Sequence, residues 1–311
     1  MKTMNNIEFA QVIVEELSKI MPDFSLEVKE VNKAGRGKLT GILFHMKDLE
    51  EDAIEAAPTI YAEDLYVPYE NGVSIEEITE EVVNLIKSAM GAMEQVTFLA
   101  ENIRFDAEGE NMGVRILDAK DPRNTEYLKE TPYMEIDDTG LCLVAQFEAD
   151  ELCAVISTIT FEDYGITKEE LFAAALKGAT SRKKPVLKEL GAMRDEILRG
   201  VIDPESNILG RTDVEIVDGP YALTAEDGIM GSWVIALPEV RHEISRLLGD
   251  NCYAIPSSKH EWLIMPVNDK LSEEYVAGLI REANNTFVSE DDFLSDSLFA
   301  ISGGEMKRLE V

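Results

Sequence analysis

The sequence predicts an α+β protein built from antiparallel sheets with flanking helices. Apolar residues recur at helical spacing in several separate segments, as Ile7, Phe9, Val12, Val14, Leu17 and Ile20 do near the start. Between such segments lie short alternating runs joined by glycine-containing turns of hairpin length. The 311 residues, 45% of them hydrophobic, supply a sizeable core, which excludes global disorder despite a net charge of −32.

The first helix follows a cap at Asn5 or Asn6 and ends near Pro22. Phe24, Leu26, Val28 and Val31 then alternate, AGRGK turns the chain, and Leu39, Ile42, Leu43 and Phe44 return as the second strand of a hairpin. The tyrosine-rich stretch from Pro58 to Tyr69 is extended or helical. Ser74 and Glu77 make a capping box ahead of Ile75, Ile78, Val82, Val83, Leu85 and Ile86, which predicts a helix over about 75–92.

Past the acidic segment DAEGENMG, a strand is expected at Val114 to Leu117, a short helix at Thr125 to Glu130, and strands at Leu141 to Phe147 and Leu152 to Thr160. Thr167 and Glu170 form another capping box, so 167–180 and 186–199 read as helices, with Gly200 as a stop. Val214 to Val217, Tyr221 to Thr224 and Ser232 to Leu237 read as short strands. Pro238 opens a helix that runs to Gly249, a hairpin spans Cys252 to Val267, and a last helix covers Leu271 to Asn284. Phe299 to Ile301 and Met306 to Leu309 then form a closing hairpin around Gly303 and Gly304. The polar, glycine-bearing stretch 104–113 is the weakest seam. It divides an N-terminal α+β lobe, 1–104, from a C-terminal α+β lobe, 105–311, which either stand apart or pack as one body.

No stretch approaches 18 consecutive apolar residues, and the first segment intersperses Glu8, Glu15 and Glu16, so neither a membrane span nor a secretory signal is expected. Cys142, Cys153 and Cys252 are odd in number and far apart, which argues against a disulfide framework or a thiolate zinc site and for a reducing, cytoplasmic setting. The charge is unevenly spread: residues 51–100 carry 11 acidic groups against Lys87 alone. That field disfavours direct nucleic-acid binding, because phosphates would be repelled. It favours a basic protein partner. The candidate face comprises Tyr61, Glu63, Asp64, Tyr66, Tyr69, Glu76, Glu80 and Glu81, in which tyrosines supply contact area and carboxylates steer association. A sharper version is a nucleic-acid mimic that occupies a basic groove. The one basic island, Lys177, Arg182, Lys183, Lys184, Lys188, Arg194 and Arg199, reads most economically as intramolecular pairing. Nothing in the sequence specifies an oligomeric state.

The most specific string is CYAIPSSKHEWLIMPV, which places Ser257, Ser258, His260 and Glu261 between two apolar β runs. Ser258 and His260, two apart on an extended chain, point to the same side and would form a nucleophile arrangement with a carboxylate behind the histidine. Glu261 faces the opposite side, and no G-x-S-x-G elbow exposes a serine. The competing reading makes Pro256-Ser257-Ser258-Lys259 a β-turn whose serine hydroxyls satisfy backbone amides, with His260 opening the return strand. No residue is therefore assigned a catalytic role. A hydrolase-like enzyme or small-ligand binder using Pro256 to Glu261 stands as the alternative to a non-enzymatic binding module.

Other motifs fall short. GRGKLT from Gly35 would need a glycine at Asn32 to be a phosphate loop. DAEGENMGVRIL has Leu117 where a calcium loop needs glutamate. VSEDDFLSD, with Glu290, Asp291, Asp292 and Asp296, reads as a solvated helix start rather than a cation site. His45, His242 and His260 lack zinc-ligand spacing, so neither metal nor cofactor is expected.

Several strings together resemble a bacterial family known as domain of unknown function 5688, over nearly the whole chain. They are PTIYAEDLYVPYENGVSIEEITEEV from Pro58, FEDYGITKEELFAAAL from Phe161, Leu223-Thr224 with the strand after Gly231, Pro256-Ser257-Ser258 with His260-Glu261, and NNTFVSEDDFLSDSLF. The chain departs from the family pattern at Lys259, where an apolar residue stands, and at Ala225, where an asparagine follows the Leu-Thr pair. Both departures weaken any claim to a shared reactive site at these positions. The resemblance implies no activity, substrate or cofactor.

Overall fold

Two units organise the chain: Met1–Arg104 with Ala149–Leu152, and Phe105–Glu148 with Cys153–Val311. The computed structural model describes residues 4–47, 57–90, 105–149, 152–156, 158–201, 203–217, 219–268 and 271–311.

In the first unit α1 (Asn6–Ile20) begins at a capping box. The Asn5 side chain accepts the Glu8 N–H at 2.9 Å, and the Glu8 carboxylate accepts the Asn5 N–H at 3.1 Å. A hairpin of β1 (Phe24–Lys33) and β2 (Gly37–Met46) follows, in register from Phe24↔Met46 to Lys33↔Gly37, and β3 (Thr59–Tyr61) pairs with the other edge of β2. Then come α2 (Ala62–Glu70) and α3 (Ile75–Met90). The Ser74 hydroxyl accepts the Glu77 N–H at 3.2 Å while the Glu77 carboxylate accepts the Ser74 N–H at 3.0 Å, the capping box the sequence predicts. Phe9, Ile13 and Leu17 of α1, Ile42 and Phe44 of β2, and Ile78, Val82 and Ile86 of α3 close the core. Each such side chain stabilises the unit by about 1.5–3 kcal/mol relative to exposure.

The second unit contains, in chain order, β4 (Met112–Asp118), α4 (Thr125–Lys129), β5 (Tyr133–Ile136), β6 (Leu141–Ala149), β7 (Leu152–Val155), α5 (Thr158–Asp163) and α6 (Lys168–Arg182). It continues with β8 (Pro185–Glu189), α7 (Leu190–Arg199), β9 (Tyr221–Ala225), α8 (Pro238–Leu248), β10 (Cys252–Pro256), β11 (Trp262–Pro266), α9 (Glu273–Phe287), β12 (Phe299–Ser302) and β13 (Glu305–Arg308). Strand β6 pairs with β4, β5 and β7 in one sheet; the larger sheet has the order β13-β12-β10-β11-β9-β8 with antiparallel neighbours throughout. This is the α+β architecture with antiparallel sheets that the patterning implies.

Long-range contacts brace both ends of β4 in the second unit. Helix α6 touches the loop before β4 at Gly178, where an added Cβ would lie 2.0 Å from the Gly109 carbonyl oxygen and 2.3 Å from that of Met112. At the end of β4 the Asp118 carboxylate accepts from Arg308 and from the Ser295 hydroxyl, both at 2.6 Å. Arg308 also donates to the Thr139 carbonyl and the Ser297 hydroxyl, so little of the charge is left unsatisfied. Four of the seven residues of the basic island pair within the chain at 2.9 Å or less, Lys177 with Glu108, Arg182 with Glu148, Lys183 with Asp227 and Lys188 with Glu196. Cys142 and Cys252 are free and buried, and burial pushes their thiols up to about 12 and about 11.

Several local expectations are corrected. Residues 185–189 form a strand rather than the start of a helix, because Leu187 pairs with Leu223; the helix starts at Leu190, where the Glu189 carboxylate accepts the Gly191 and Ala192 N–H groups at 2.8 Å. Ser232 to Leu237 is not a strand: residues Gly231–Ala236 form a 3-10 helix, turned by Met230 at φ 52°. Val214 to Val217 pairs with no strand among the described residues; the Tyr221 hydroxyl holds both the N–H and the carbonyl of Val217. The run after Leu152 stops at Val155, and helix α5 takes over from Thr158. Strand β5 was not expected from the sequence, its four residues being too short to display alternation. Among the described residues no helix is long and apolar enough to cross a membrane.

Candidate functional site

Strands β10 and β11 pair from Cys252↔Pro266 to Pro256↔Trp262 and present residues 257–261 as a loop. The turn bond runs from the Glu261 N–H to the Ser258 carbonyl at 3.4 Å, which places the turn at 258–261 rather than at 256–259. Ser258 Oγ accepts the His260 N–H at 3.1 Å, so this serine satisfies a backbone amide. The Ser257 hydroxyl donates to the Glu261 carboxylate at 3.3 Å.

The rest of the loop is anchored by residues distant in sequence. The Lys259 carbonyl accepts the Ser232 hydroxyl at 2.6 Å, and the His260 carbonyl accepts the Thr224 hydroxyl at 2.7 Å. Gly231 lets these segments meet: a Cβ there would lie 2.3 Å from both Thr224 Oγ1 and the Ala225 nitrogen. His260 Nδ1 accepts the Met230 N–H at 3.0 Å, which assigns the ring proton to Nε2, and Nε2 donates to Asp292 Oδ1 at 3.1 Å. Asp292 also pairs with Lys259 at 3.1 Å. The Ser289 hydroxyl, and after it Lys259 and His260, hold the Asp292 carboxyl down at about 2 against the opposing effect of burial.

A carboxylate therefore does lie behind the histidine, and it is Asp292 rather than Glu261. The acidic run VSEDDFLSD is not a helix start; residues 290–292 form a turn closed by Ser289, and Asp292 serves the hairpin. The nucleophile arrangement still does not assemble. One ring nitrogen is occupied by a backbone amide and the other by a carboxylate, so no lone pair is left to take a proton from Ser257 or Ser258. Lys259 has a structural use in its pair with Asp292. Met230 and Ser232 escaped the sequence reading; the nearest signal was D-G-x-M-G between two apolar runs, which marks a tight backbone approach without saying to what.

The acidic face sorts into two groups. Tyr66 and Tyr69 pack on Phe9 with ring centroids 5.0 and 5.1 Å away, and the Tyr66 hydroxyl donates to the Met4 carbonyl at 2.8 Å. The Tyr61 ring lies 4.7 Å from Lys33 Nζ. Glu63 accepts the Thr40 N–H at 2.9 Å and the Asn6 amide at 3.0 Å, and Asp64 pairs with Arg36 at 2.6 Å. Tyr61, Glu63, Tyr66 and Tyr69 are partly buried within the first unit, whereas Asp64 is exposed and makes a surface ion pair. Glu76, Glu80 and Glu81 instead stand on the exposed side of α3, opposite Ile78, Val82 and Ile86, with no cationic partner among the described residues.

Among the described residues no group of three or more histidine, cysteine, aspartate or glutamate side chains is placed to hold a metal ion. Residues 7–301 match the family of unknown function DUF5688, and the chain belongs to that family. No curated protein and no solved structure matches the chain.

Proposed function

We propose that the protein is a non-enzymatic cytoplasmic binding module whose exposed α3 carboxylates engage a basic protein partner. The observation that carries this reading is the pairing of like charges along the helix: Glu76 with Glu80 and Glu77 with Glu81, each four residues apart and all exposed. Such pairs lower helix stability by about 0.2–0.5 kcal/mol each. A cationic partner would relieve that repulsion on binding, and the acidic excess of residues 51–100 would steer it in. A basic groove that ordinarily takes a nucleic-acid backbone is one such surface. The engagement of both His260 nitrogens speaks against the hydrolase alternative at the hairpin.

The test is charge reversal at Glu76, Glu80 and Glu81 together, read by affinity capture of the intact chain at low and high salt. A partner held by the native protein at low salt, released at high salt and lost from the triple variant is the expected result. Capture by the variant with unchanged salt dependence would overturn the proposal.

A further inference from the structure

The sheet of the first unit has an open edge. Its order is β1-β2-β3, so β1, ten residues in unbroken register with β2, is paired on one side alone among the described residues. The direction of its free backbone groups follows from two bonds. The Phe44 N–H donates to the Pro58 carbonyl on the β3 side at 3.0 Å, which makes Phe44 and its cross-strand partner Leu26 a non-hydrogen-bonded pair of the β1–β2 ladder. The Lys47 N–H donates to the Asp23 carbonyl at 3.1 Å, in step with an odd-numbered bonded series. By alternation the N–H and carbonyl groups of Leu26, Val28 and Glu30 point away from β2. Such an edge is a template for a further strand, and β1 has neither a proline nor a bulge to blunt it.

Charge identifies the strand that fits. Phe24, Leu26 and Val28 pack against the core, so the odd-numbered residues of β1 face away from it. On that outer side acids precede Val28 and bases follow it at matching distances: Glu27 and Lys29 next to it, Asp23 and Lys33 farther out. An identical strand laid antiparallel must exchange bonds through the even-numbered residues, which restricts where the two-fold axis can fall. With the axis at Val28, Glu27 stands opposite the second copy's Lys29 and Lys29 opposite its Glu27. Slipping the axis by one residue sets Glu27 against Glu27 or Lys29 against Lys29, which is unfavourable. Lys33 rests on the Tyr61 ring, so the inner pairs are the selective ones. Glu27 and Lys29 are both exposed; Glu27 lies 3.3 Å from His45 Nε2, and Lys29 makes no ion pair among the described residues. Self-association of a chain with net charge −32 also needs a nearly neutral surface, and residues 1–50 supply one, with 8 acidic against 7 basic groups. We propose that a second copy of this chain pairs antiparallel with β1 about Val28, joining the two three-stranded sheets into one.

The intact protein is examined by sedimentation equilibrium over a range of concentrations, in salt sufficient to screen its diffuse charge. A concentration-dependent dimer of the 34.6 kDa chain is expected. Its affinity should fall at least about tenfold in Glu27→Lys and in Lys29→Glu, each of which sets like charges opposite one another. The exchange Glu27→Lys/Lys29→Glu restores opposite charges with their signs reversed and should restore the dimer, and the two single variants, mixed, should form a heterodimer. Val28→Pro removes an outward N–H while leaving the β1–β2 bonds in place, so it should fold and remain monomeric. Unfolding midpoints confirm that the variants fold. A native chain that stays monomeric at every attainable concentration would overturn the proposal. So would a dimer indifferent to these substitutions, or one lost in the single variants and not recovered by the exchange. Charge reversal at Glu76, Glu80 and Glu81 should leave the dimer intact. Its loss there would place the self-contact on α3 and overturn the proposal, whereas failure of protein capture by α3 leaves this result untouched.

Discussion

Asp118 and Arg308 stand 190 positions apart in the chain and meet at 2.6 Å, with side chains only 5% and 13% exposed. Removing one partner of such a pair leaves a buried charge uncompensated. Arg308→Met should therefore lower the stability of the second unit by about 3–5 kcal/mol, and Asp118→Leu/Arg308→Met should cost less than the two single changes added together. Urea unfolding of the three variants decides it; additive losses would show that the two residues act independently.

His260 should prove structural. His260→Phe strands the Met230 N–H, whose residue already sits at φ 52°, and removes a donor from Asp292. A loss of about 1–3 kcal/mol is expected. Capture of a basic partner through α3 should be unaffected. Unchanged stability would mean that the loop is held by its backbone contacts to Ser232 and Thr224 alone.

The Asp292 carboxyl sets a pH dependence with a definite sign. Its value in the folded chain, about 2, lies below the ordinary 3.8, so the folded state favours the ionised form. Its contribution is fully present above about pH 4 and is lost as the pH falls through 4 towards 2. Acid unfolding of native protein and of Asp292→Asn should converge at the low end of that window and separate above it. Parallel curves would dismiss the effect.

Gly178 offers a case where helix propensity and packing oppose each other. Alanine is favoured over glycine inside a helix by about 1 kcal/mol, yet its Cβ would overlap two backbone carbonyl oxygens that cannot swing aside. Gly178→Ala should destabilise by about 1–3 kcal/mol net, measured as a lowered thermal midpoint. A raised midpoint would show that the loop before β4 yields easily.

How far the fold could be read from the sequence follows from the range of the forces involved. The capping boxes at Ser74 and Thr167 join groups three residues apart, and helices began where they stood. Hairpins with glycine turns, such as β12–β13, were equally visible because their register is local. Residues 185–189 were misread because a strand beside a helix start carries the same apolar residues, and only pairing with β9 selects between them. The candidate site was half legible for the same reason. Ser257, Ser258, His260 and Glu261 stood out as a string, but what His260 does is decided by Asp292, 32 positions on, and by Met230, 30 positions back. Tyr66 and Tyr69 show the converse, since tyrosines that serve a core look in sequence like tyrosines that serve a surface.

The buried thiols turn the second unit into its own reporter. All three cysteines lie beyond residue 104, and protonated, inaccessible Cys142 and Cys252 are poor nucleophiles towards an alkylating reagent. Their modification should await opening of the sheets that enclose them, so the labelling rate clocks that opening without any introduced probe. Because the first 104 residues contain no thiol, the clock is blind to them. A partner seated on α3 that slows it would reveal energetic coupling between the two units.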